Sequence, residues 1–343
     1  MSEGKGPIRL GIIGAGLFAR QAHVPAIKAL GDAFEIVAVC SRTAESAGKL
    51  AALLDGPVEV YQDSAALLAR GDIEAVDIVL PIGVQPAVVS QALAAGKHVI
   101  SEKPMAPDVS AGRRLLADYA AQVAARPGLV WMVAENYRYE APFVRAAEII
   151  ASGTIGRVLL ADWAIHVAMT PDNPYYHTSW RRDESFPGGF LLDGGVHHMA
   201  GLRLILGEVA SVTATTTRQR PDLPPADTLS AALLFEGGAL ASYSITYAGG
   251  APWYGALQIV GERGALRIVR NEALELTVDG QTQTLAVKPF GGVDGELAAF
   301  AAAIRSGTAH RNSPLEGLRD VAVLEALLRA AATGMRVSPE YVG

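Results

Sequence analysis

The sequence predicts an α/β protein in which a doubly wound parallel sheet is followed by a C-terminal α+β domain with a large, mostly antiparallel, open-faced sheet. Three observations support this fold class. Short β-branched runs alternate with alanine-rich stretches through about the first 140 residues. From about residue 155, long β-rich runs follow one another with few helices between them. A glycine-rich motif stands directly after the first β-branched run.

The predicted strands of the first half are short runs rich in Val and Ile. They cover residues 8–14, 35–40, 58–61, 75–80, 98–101 and 129–135. The stretches between them are predicted helices, and they read "LFARQAHVPAIKAL", "ESAGKLAALL", "SAALLAR", "QPAVVSQALAAG" and "DVSAGRRLLADYAAQVAA". Since parallel strands need a crossover connection, this alternation predicts a parallel sheet with helices on both faces. Trp131 and Met132, inside the sixth run, are predicted core residues.

The second half has a different pattern. Its β-rich runs read "GRVLLADWAIHVAM", "ASVTATTTRQ", "TLSAALLFE", "ALASYSITYAG", "YGALQIVG" and "ALRIVR", with a Gly-Gly hairpin turn in "FEGGAL". Two helical runs end the chain, and Ser313 is the expected N-cap of the second, before Pro314. The predicted domains are 1–138 with the parallel sheet, 139–312 with the antiparallel sheet, and a C-terminal helical segment, 313–343, packing back on the first.

Composition excludes several classes of protein. The 343 residues are 50% hydrophobic and carry a formal net charge of −6, without a Lys or Arg run longer than two, so nucleic acid is not an expected partner. Pro, Gly or charge interrupts each apolar run, and the first ten residues lack an apolar segment, which predicts a cytoplasmic protein that does not enter a membrane. One cysteine, Cys40, and seven scattered histidines predict neither a disulfide nor a metal site.

The first motif with chemical content is "GIIGAGLFA", residues 11–19. Gly14, Gly16 and Ala19 fit the pattern G-x-G-x-x-G/A at a strand end and a helix start, which is typical of a Rossmann-type dinucleotide site. The free N–H groups of the following helix suit a pyrophosphate. The alternative is a glycine-rich turn of any α/β protein, but the position in the first strand–helix unit favours a cofactor. Gly14, Gly16, Leu17, Phe18 and Ala19 are the predicted contacts.

The end of the second strand reads "VCSRT" and bears on the choice of cofactor. An NAD site usually has an acidic residue there to accept hydrogen bonds from the ribose 2′-hydroxyl. Ser41 and Arg42 instead suit a 2′-phosphate, and a guanidinium can also stack on adenine. NADP(H) is therefore predicted in preference to NAD(H), while a solvated surface arginine remains the alternative for Arg42.

The stretch "VISEKPMAP" places Glu102 and Lys103 at the carboxyl end of the fifth strand, where open α/β sheets bind their ligands. A lysine there can direct its ammonium to a substrate oxygen and stabilise developing negative charge. Pro104 restricts the backbone of Lys103. The alternative is a strand end with two solvated charges. Glu102 and Lys103 are predicted cofactor contacts, as is Pro81 at the end of the neighbouring fourth strand.

A second constellation lies in "GGFLLDGGVHHMAGLRLILG", where Asp193 and His197 are four residues apart. If the helix has begun there, the two side chains share a face. A histidine can take a proton from a hydroxyl while a nearby carboxylate orients it or binds substrate. A hydrogen-bonded interior or surface histidine is the alternative for each imidazole. The adjacent His198 points elsewhere on the same turn.

Other candidate substrate contacts lie in two loops. The stretch "NPYYHTSWRR" is polar and aromatic and could close on a hydroxylated ring, or it could be an ordinary surface or subunit-contact loop. "AENYRY" ends the sixth strand near the domain junction, where Arg138 is equally well explained as a structural ion-pair partner. The predicted substrate-binding set is Asn136, Tyr176, Trp180, Arg181, Asp193 and His198.

Together these motifs resemble the glucose-fructose oxidoreductase, inositol dehydrogenase and rhizopine catabolism (Gfo/Idh/MocA) family. The resemblance covers essentially the whole chain and rests on "GIIGAGLFA", "SEKP", "GGFLLDGGVHH" and "LEGLRDVAVLEALLRAAATG". It implies a two-domain enzyme that oxidises or reduces a sugar, polyol or related cyclic hydroxyl compound with NAD(P). By the same resemblance, Lys103 matches the lysine beside the nicotinamide, Asp193 the substrate-binding aspartate and His197 the acid/base histidine.

The sequence also departs from that family pattern. Where members often have a Thr-Pro-Asn turn with a histidine after the fourth strand, this chain has "LPIGVQP", which keeps Pro81 but has Ile82 and Gln85. Ala200 stands where members often carry an aspartate. A non-catalytic NAD(P)-sensing regulator on the same scaffold is the alternative function, but such a protein is expected to lose the lysine or the histidine. An open antiparallel sheet commonly pairs with another subunit, so a homodimer or homotetramer is expected.

Overall fold

The computed structural model describes residues 6–341 except 185, 187, 253, 270–271 and 288–291. The chain forms two compact units. Unit 1 comprises Met1–Asn136 and Gly292–Leu318, and unit 2 comprises Tyr137–Gly291 and Arg319–Gly343. This division differs from the predicted boundaries in the last part of the chain: residues 292–312 lie with the parallel-sheet unit, and residues 319–343 lie with the antiparallel-sheet unit.

Unit 1 contains the parallel sheet. Its strands among the described residues are β1 (Ile8–Ile13), β2 (Phe34–Cys40), β3 (Glu59–Tyr61), β4 (Ala75–Ile78), β5 (His98–Glu102) and β6 (Trp131–Ala134). They pair in parallel in the order β3-β2-β1-β4-β5-β6. This is the doubly wound order with its switch point between β1 and β4, so a ligand site is expected at the carboxyl ends of these strands.

The connections in unit 1 are helical and begin at residues suited to cap them. A π-helical turn, Ala19–His23, leads into α1 (Val24–Ala29), and α2 (Ala44–Ala51), α3 (Ser64–Leu68), α4 (Gln85–Ala94) and α5 (Val109–Ala125) follow. Side-chain oxygens of Thr43, Asp63 and Asp108 accept hydrogen bonds from backbone N–H groups in the first turns of α2, α3 and α5. Each cap satisfies a donor that the helix itself cannot pair.

Unit 2 contains two helices and the large sheet. The helices are α6 (Ala141–Ala151) and α7 (Gly189–Leu206), and the described strands are β7 (Val158–His166), β8 (Val209–Thr217), β9 (Thr228–Phe235), β10 (Leu240–Thr246), β11 (Tyr254–Gly261), β12 (Gly264–Val269), β13 (Ala273–Val278) and β14 (Gln281–Leu285). Their order is β14-β13-β12-β11-β7-β10-β9-β8. Of the described pairings, only that of β7 with β10 is parallel, which confirms a mostly antiparallel sheet.

The two faces of this sheet differ. Tyr243, Trp163 and Leu257 lie side by side on β10, β7 and β11, and all three are buried. Such a row of large side chains is the core beneath α6 and α7, which pack on the sheet. Alternate positions on the same strands, including Leu160 and Leu240, are exposed. The open-faced sheet that the sequence predicts is therefore present.

Two helices complete the fold, α8 (Gly292–Ser306) and α9 (Pro314–Thr333). The side chain of Ser313 accepts a hydrogen bond from the backbone N–H of Glu316, which confirms it as the cap of α9. Helix α8 packs on α1 and β6 within unit 1. Among the described residues, none of the helices combines the length and the apolarity that crossing a bilayer requires.

Candidate active site

The glycine motif forms a tight turn after β1. Gly14 has a φ of +114°, and a Cβ atom there would lie 2.0 Å from the carbonyl oxygen of Val79, so only glycine fits. Gly16 is different: it is exposed, and a Cβ atom there would meet no described atom within 4 Å. Packing within the protein therefore does not require a glycine at 16. The open backbone at Gly16 is what close approach of a pyrophosphate needs.

The other predicted cofactor contacts surround this turn at the carboxyl ends of the strands. Ser41 and Arg42 directly follow β2, and Arg42 is exposed. Pro81 is exposed after β4, whereas Ala19 is fully buried beneath the turn. Leu17 and Phe18 are half-buried. These placements agree with a dinucleotide lying along the end of the sheet, except that Ala19 acts by letting the helix pack closely.

The Glu102–Lys103–Pro104 turn is held by its surroundings. Gln85, buried at the start of α4, donates through Nε2 to the carbonyl oxygens of Glu102 and Pro104, at 2.5 and 3.2 Å. The Glu102 carboxylate accepts a hydrogen bond from the Lys103 backbone N–H at 3.2 Å. The peptide bond between Lys103 and Pro104 is cis. Lys103 is half-buried at this end of β5, so a defined turn fixes where the lysine leaves the backbone.

In unit 2, the aspartate of the second motif lies on α7 and is largely buried. Arg181 Nε donates to Asp193 Oδ2 at 2.7 Å, and Arg181 Nη1 donates to the hydroxyl of Thr178 at 3.0 Å. The Arg181 guanidinium also lies over the ring of Trp180, 4.1 Å from its centroid. The structure therefore joins Asp193, Arg181 and Trp180, three of the predicted substrate contacts, in one polar and aromatic group.

Tyr247 is a member of this group that the sequence did not indicate. Its hydroxyl lies where a Cβ atom at Gly194 would be, at 2.0 Å, so the first glycine of "DGG" makes room for it. Burial and the charge of Asp193 raise the pKa of Tyr247, which keeps its hydroxyl protonated at neutral pH. The second glycine, Gly195, makes room for Leu324. A tyrosine at the end of a β-rich run otherwise looks like a core residue.

The two adjacent histidines of α7 have different environments. His197 lies one turn after Asp193, is half-buried, and stacks on Tyr137 with ring centroids 4.9 Å apart and planes 16° from parallel. His198 is buried, with Nδ1 2.8 Å from the Tyr243 hydroxyl and its ring packed edge-on against Trp163. This is the environment of a core histidine, and the predicted substrate contact at His198 stays a prediction.

Tyr176 and Asn136 each have a contact within the protein, and their predicted substrate contacts stay predictions. The Tyr176 hydroxyl donates to Asp222 at 2.8 Å, and its ring lies under the guanidinium of Arg182. Hydrogen bonds from Arg220 and Tyr176 lower the pKa of Asp222 to about 2. Tyr176 thus joins its loop to the connection between β8 and β9. Asn136 is buried and packs on Gly292, where a Cβ atom would lie 2.4 Å from its carbonyl oxygen, a packing role that the sequence did not indicate.

Charge clusters elsewhere are structural. Arg138 and Arg203 both donate to Asp320 Oδ1, at 2.7 and 2.6 Å, in the interior of unit 2. The ion-pair interpretation of Arg138 is confirmed. Within the part of the chain that the structure describes, histidine, cysteine and carboxylate side chains form no group of three or more suited to hold a metal ion.

The fold and these groups define a class of protein, the dinucleotide-dependent oxidoreductases. The sequence matches two family models: "Oxidoreductase family, NAD-binding Rossmann fold" over residues 8–126, and "GFO/IDH/MocA C-terminal domain" over residues 143–267. The chain belongs to the Gfo/Idh/MocA family of oxidoreductases. The resemblance noted from its motifs is therefore confirmed.

Two relatives similar over nearly the whole chain are named dehydrogenases, and a similar solved structure is named an oxidoreductase. Dehydrogenase FPY6 of Fusarium mangiferae is 34% identical over 95% of this chain and 97% of its own length. D-xylose 1-dehydrogenase (NADP(+)) 2 of Haloferax volcanii is 29% identical over 95% and 98%. Among solved structures, an oxidoreductase from Thermotoga maritima is 34% identical, with a TM-score of 0.88 over 97% of this chain and 98% of that one.

Proposed function

We propose that this oxidoreductase interconverts a hydroxyl and a carbonyl group on a sugar, polyol or related cyclic hydroxyl compound, with NADP(H) in preference to NAD(H). One observation carries the proposal: α7 places Asp193 and His197 one turn apart, and Arg181 is hydrogen-bonded to Asp193 at 2.7 Å. A carboxylate, a guanidinium and an imidazole together offer both donors and acceptors to a polyhydroxylated ring. The naming of the Haloferax relative as a xylose dehydrogenase favours the same substrate class.

The residues of unit 1 fit a nicotinamide dinucleotide. Gly14 gives the tight turn, Gly16 leaves its backbone open, and the carboxyl ends of the strands carry Ser41, Arg42 and Lys103. When bound, the nicotinamide supplies the acceptor or donor of a hydride. Arg42 has no acceptor and Ser41 offers a single hydroxyl oxygen in place of a carboxylate, whereas both can donate to a 2′-phosphate. This supports the NADP(H) preference.

The chain's own residues handle the proton and the developing charge. In the oxidation direction, His197 removes the hydroxyl proton as the neighbouring C–H bond loses its hydride, and the C–O bond becomes a carbonyl. The Lys103 ammonium donates to that oxygen and stabilises its negative charge. Asp193 and Arg181 bind other substrate hydroxyls. Reduction follows the reverse path, with His197 returning the proton.

The test is a steady-state assay of Lys103→Ala, His197→Ala and the double variant on a sugar and polyol panel. Each single variant should lower kcat by roughly a hundredfold or more, since loss of one such group costs ~2.7–4 kcal/mol of barrier. If both act on one reacting oxygen, the double variant should be much less impaired than the product of the single effects predicts. Cofactor affinity should persist in all three. Normal turnover in both single variants would refute the assignment.

The cofactor preference has its own test. Arg42→Ala should raise the KM for NADP(H) by about tenfold and the KM for NAD(H) much less, because both cofactors carry the adenine on which the guanidinium can stack but only NADP(H) carries the 2′-phosphate. Arg113→Ala, at another surface arginine of unit 1, is the matched control. A wild-type enzyme with a clear NAD preference would contradict this proposal and leave the dehydrogenase assignment intact.

A further inference from the structure

A histidine that no motif includes lies at the centre of unit 1. His23 is fully buried, with Nδ1 2.8 Å from Asp77 Oδ2 and Nε2 2.8 Å from Glu102 Oε1. Ionised carboxylate oxygens only accept hydrogen bonds, so an imidazole that bonds to two such groups has to donate from both nitrogens. The geometry therefore describes an imidazolium held between two carboxylates.

The electrostatics agree with that protonation state. Burial alone would lower the pKa of His23, but the charges of Asp77 and Glu102 and their hydrogen bonds outweigh it and raise the pKa well above its ordinary value. A further carboxyl, Glu296 of α8, faces the same interior. Burial raises the pKa of Glu296 well above its ordinary range, and Glu102, Glu135 and Asp77 add to this against the opposing charge of His23.

This imidazolium connects the two motifs of unit 1. His23 is the last residue of the helical turn Ala19–His23 that follows the glycine motif, Asp77 lies in β4, and Glu102 ends β5 immediately before Lys103. The Glu102 carboxylate that accepts from His23 through Oε1 also accepts from the Lys103 backbone N–H through Oε2. One carboxylate thus bonds both the buried imidazole and the backbone at the start of the lysine turn.

We propose that His23 is a positioning residue for the reaction: its imidazolium fixes the Glu102 carboxylate and thereby the Glu102–Lys103–Pro104 turn, relative to the glycine turn that holds the cofactor. The inference rests on the proposed function, because it gives Lys103 a role at the reacting oxygen. It is favoured over a purely stabilising role since well-packed apolar groups serve stability as well as a buried ion pair does. A 1 Å error in placing a reacting group can cost about a hundredfold in rate.

The experiment compares His23→Gln in two backgrounds. A glutamine amide cannot reach both carboxylates in the geometry of the ring, so kcat should fall roughly 10- to 100-fold, with the KM for substrate and NADP(H) changed much less. In the Lys103→Ala background, the same substitution should have little further effect on kcat. Lys97→Met is the matched control. Lys97 is buried directly before β5, the strand that ends at Glu102, and its ammonium donates to the carbonyls of Arg70 and Ile73. It should lower Tm and keep kcat.

A second variant tests whether a loss of stability in His23→Gln accounts for its lower kcat. His23→Gln combined with Asp77→Asn removes one positive and one negative charge, so Tm should recover while kcat stays low. Recovery of kcat together with Tm would show a structural role and overturn the inference, as would equal losses of kcat in the wild-type and Lys103→Ala backgrounds. If Lys103→Ala itself turns over normally, the proposed function fails and the inference fails with it. An inactive Lys103→Ala beside an unimpaired His23→Gln rejects the inference alone.

Discussion

Gly14 and Gly16 are glycines for different reasons, and the difference can be measured. At Gly14 a methyl group would meet the Val79 carbonyl, and a φ of +114° is unfavourable for any L-residue. Gly14→Ala should therefore cost more than ~2 kcal/mol of unfolding free energy. At Gly16 the added methyl meets no described atom within 4 Å, so Gly16→Ala should keep its stability within about 0.5 kcal/mol.

The variants Gly14→Ala and Gly16→Ala also distinguish a glycine needed for packing from one needed for ligand binding. Gly16→Ala should still raise the Kd for NADP(H) by tenfold or more, because the methyl group occupies the space through which a phosphate approaches the backbone. Urea unfolding measures the free energy of unfolding of both variants, and fluorescence titration measures their Kd for NADP(H). A Gly16→Ala variant that binds NADP(H) as the wild type does would remove this turn from the cofactor site.

Several important residues could not be found from the sequence because their partners are far away along the chain. His23 lies 54 residues from Asp77 and 79 from Glu102, and the stretch around it has no carboxylate to indicate a partner. Gln85 was identified only as a departure from the family pattern, yet it fixes the Glu102 turn. Tyr247 is explained only once its hydroxyl is seen over Gly194. In contrast, Asp193 and Arg181 are close in sequence and in space.

Helix α8 carries an acid into the interior of unit 1, and this should make stability depend on pH. The folded-state pKa of Glu296 lies well above the ordinary value of 4.5. A raised folded-state pKa means that stability is lost as the pH rises from that ordinary value toward the folded-state value, by up to about 1.4 kcal/mol per pH unit. Glutamine cannot ionise, so Glu296→Gln lacks this loss.

The expected result is a Tm difference between Glu296→Gln and the wild type that grows in favour of the variant from pH 5 to pH 8. Differential scanning calorimetry across that range measures it. Glu236→Gln, at an exposed carboxyl in the turn between β9 and β10, serves as the control and should give a nearly constant difference. A constant difference for Glu296→Gln as well would show that the carboxyl is ionised in the folded protein.

Regular elements were predicted where the pattern of apolar residues was regular. The six predicted strands of the first half match β1 to β6 within a few residues at each end. Strands β13 and β14 were not predicted, and β14 shows why: "QTQTL" is exposed along most of its length and pairs only with β13 among the described strands. Such an edge strand buries too little to need an apolar face. The parallel pairing of β7 with β10 also depends on sheet order, which local patterns do not encode.

The outer face of the large sheet supports the proposal that the enzyme is a homo-oligomer. Leu160 is paired with Leu240 on one side and Val260 on the other, so three exposed apolar side chains form a row across β10, β7 and β11. Leu240 is 54% exposed. Contiguous exposed apolar surface of this kind is typical of contacts between subunits.

Leu160→Asp should dissociate such an oligomer, because it would bury a carboxylate at the centre of the row. Size-exclusion chromatography with light scattering should show a lower molecular mass for this variant than for the wild type. Leu53→Asp is the matched control, since Leu53 is similarly exposed but lies in unit 1 after α2. A monomeric wild type would contradict the proposal.

Labelling of the Cys40 thiol can measure local opening of the parallel sheet. It is buried at the end of β2, its carbonyl accepts a hydrogen bond from the Gly14 N–H, and burial with the charge of Asp63 raises the pKa of its thiol to about 11. A thiol in that state hardly reacts until the surrounding structure opens. The labelling rate of this sole cysteine therefore measures local opening of the parallel sheet beside the glycine turn, and slower labelling with added dinucleotide would give the ligand's contribution without a chemical turnover.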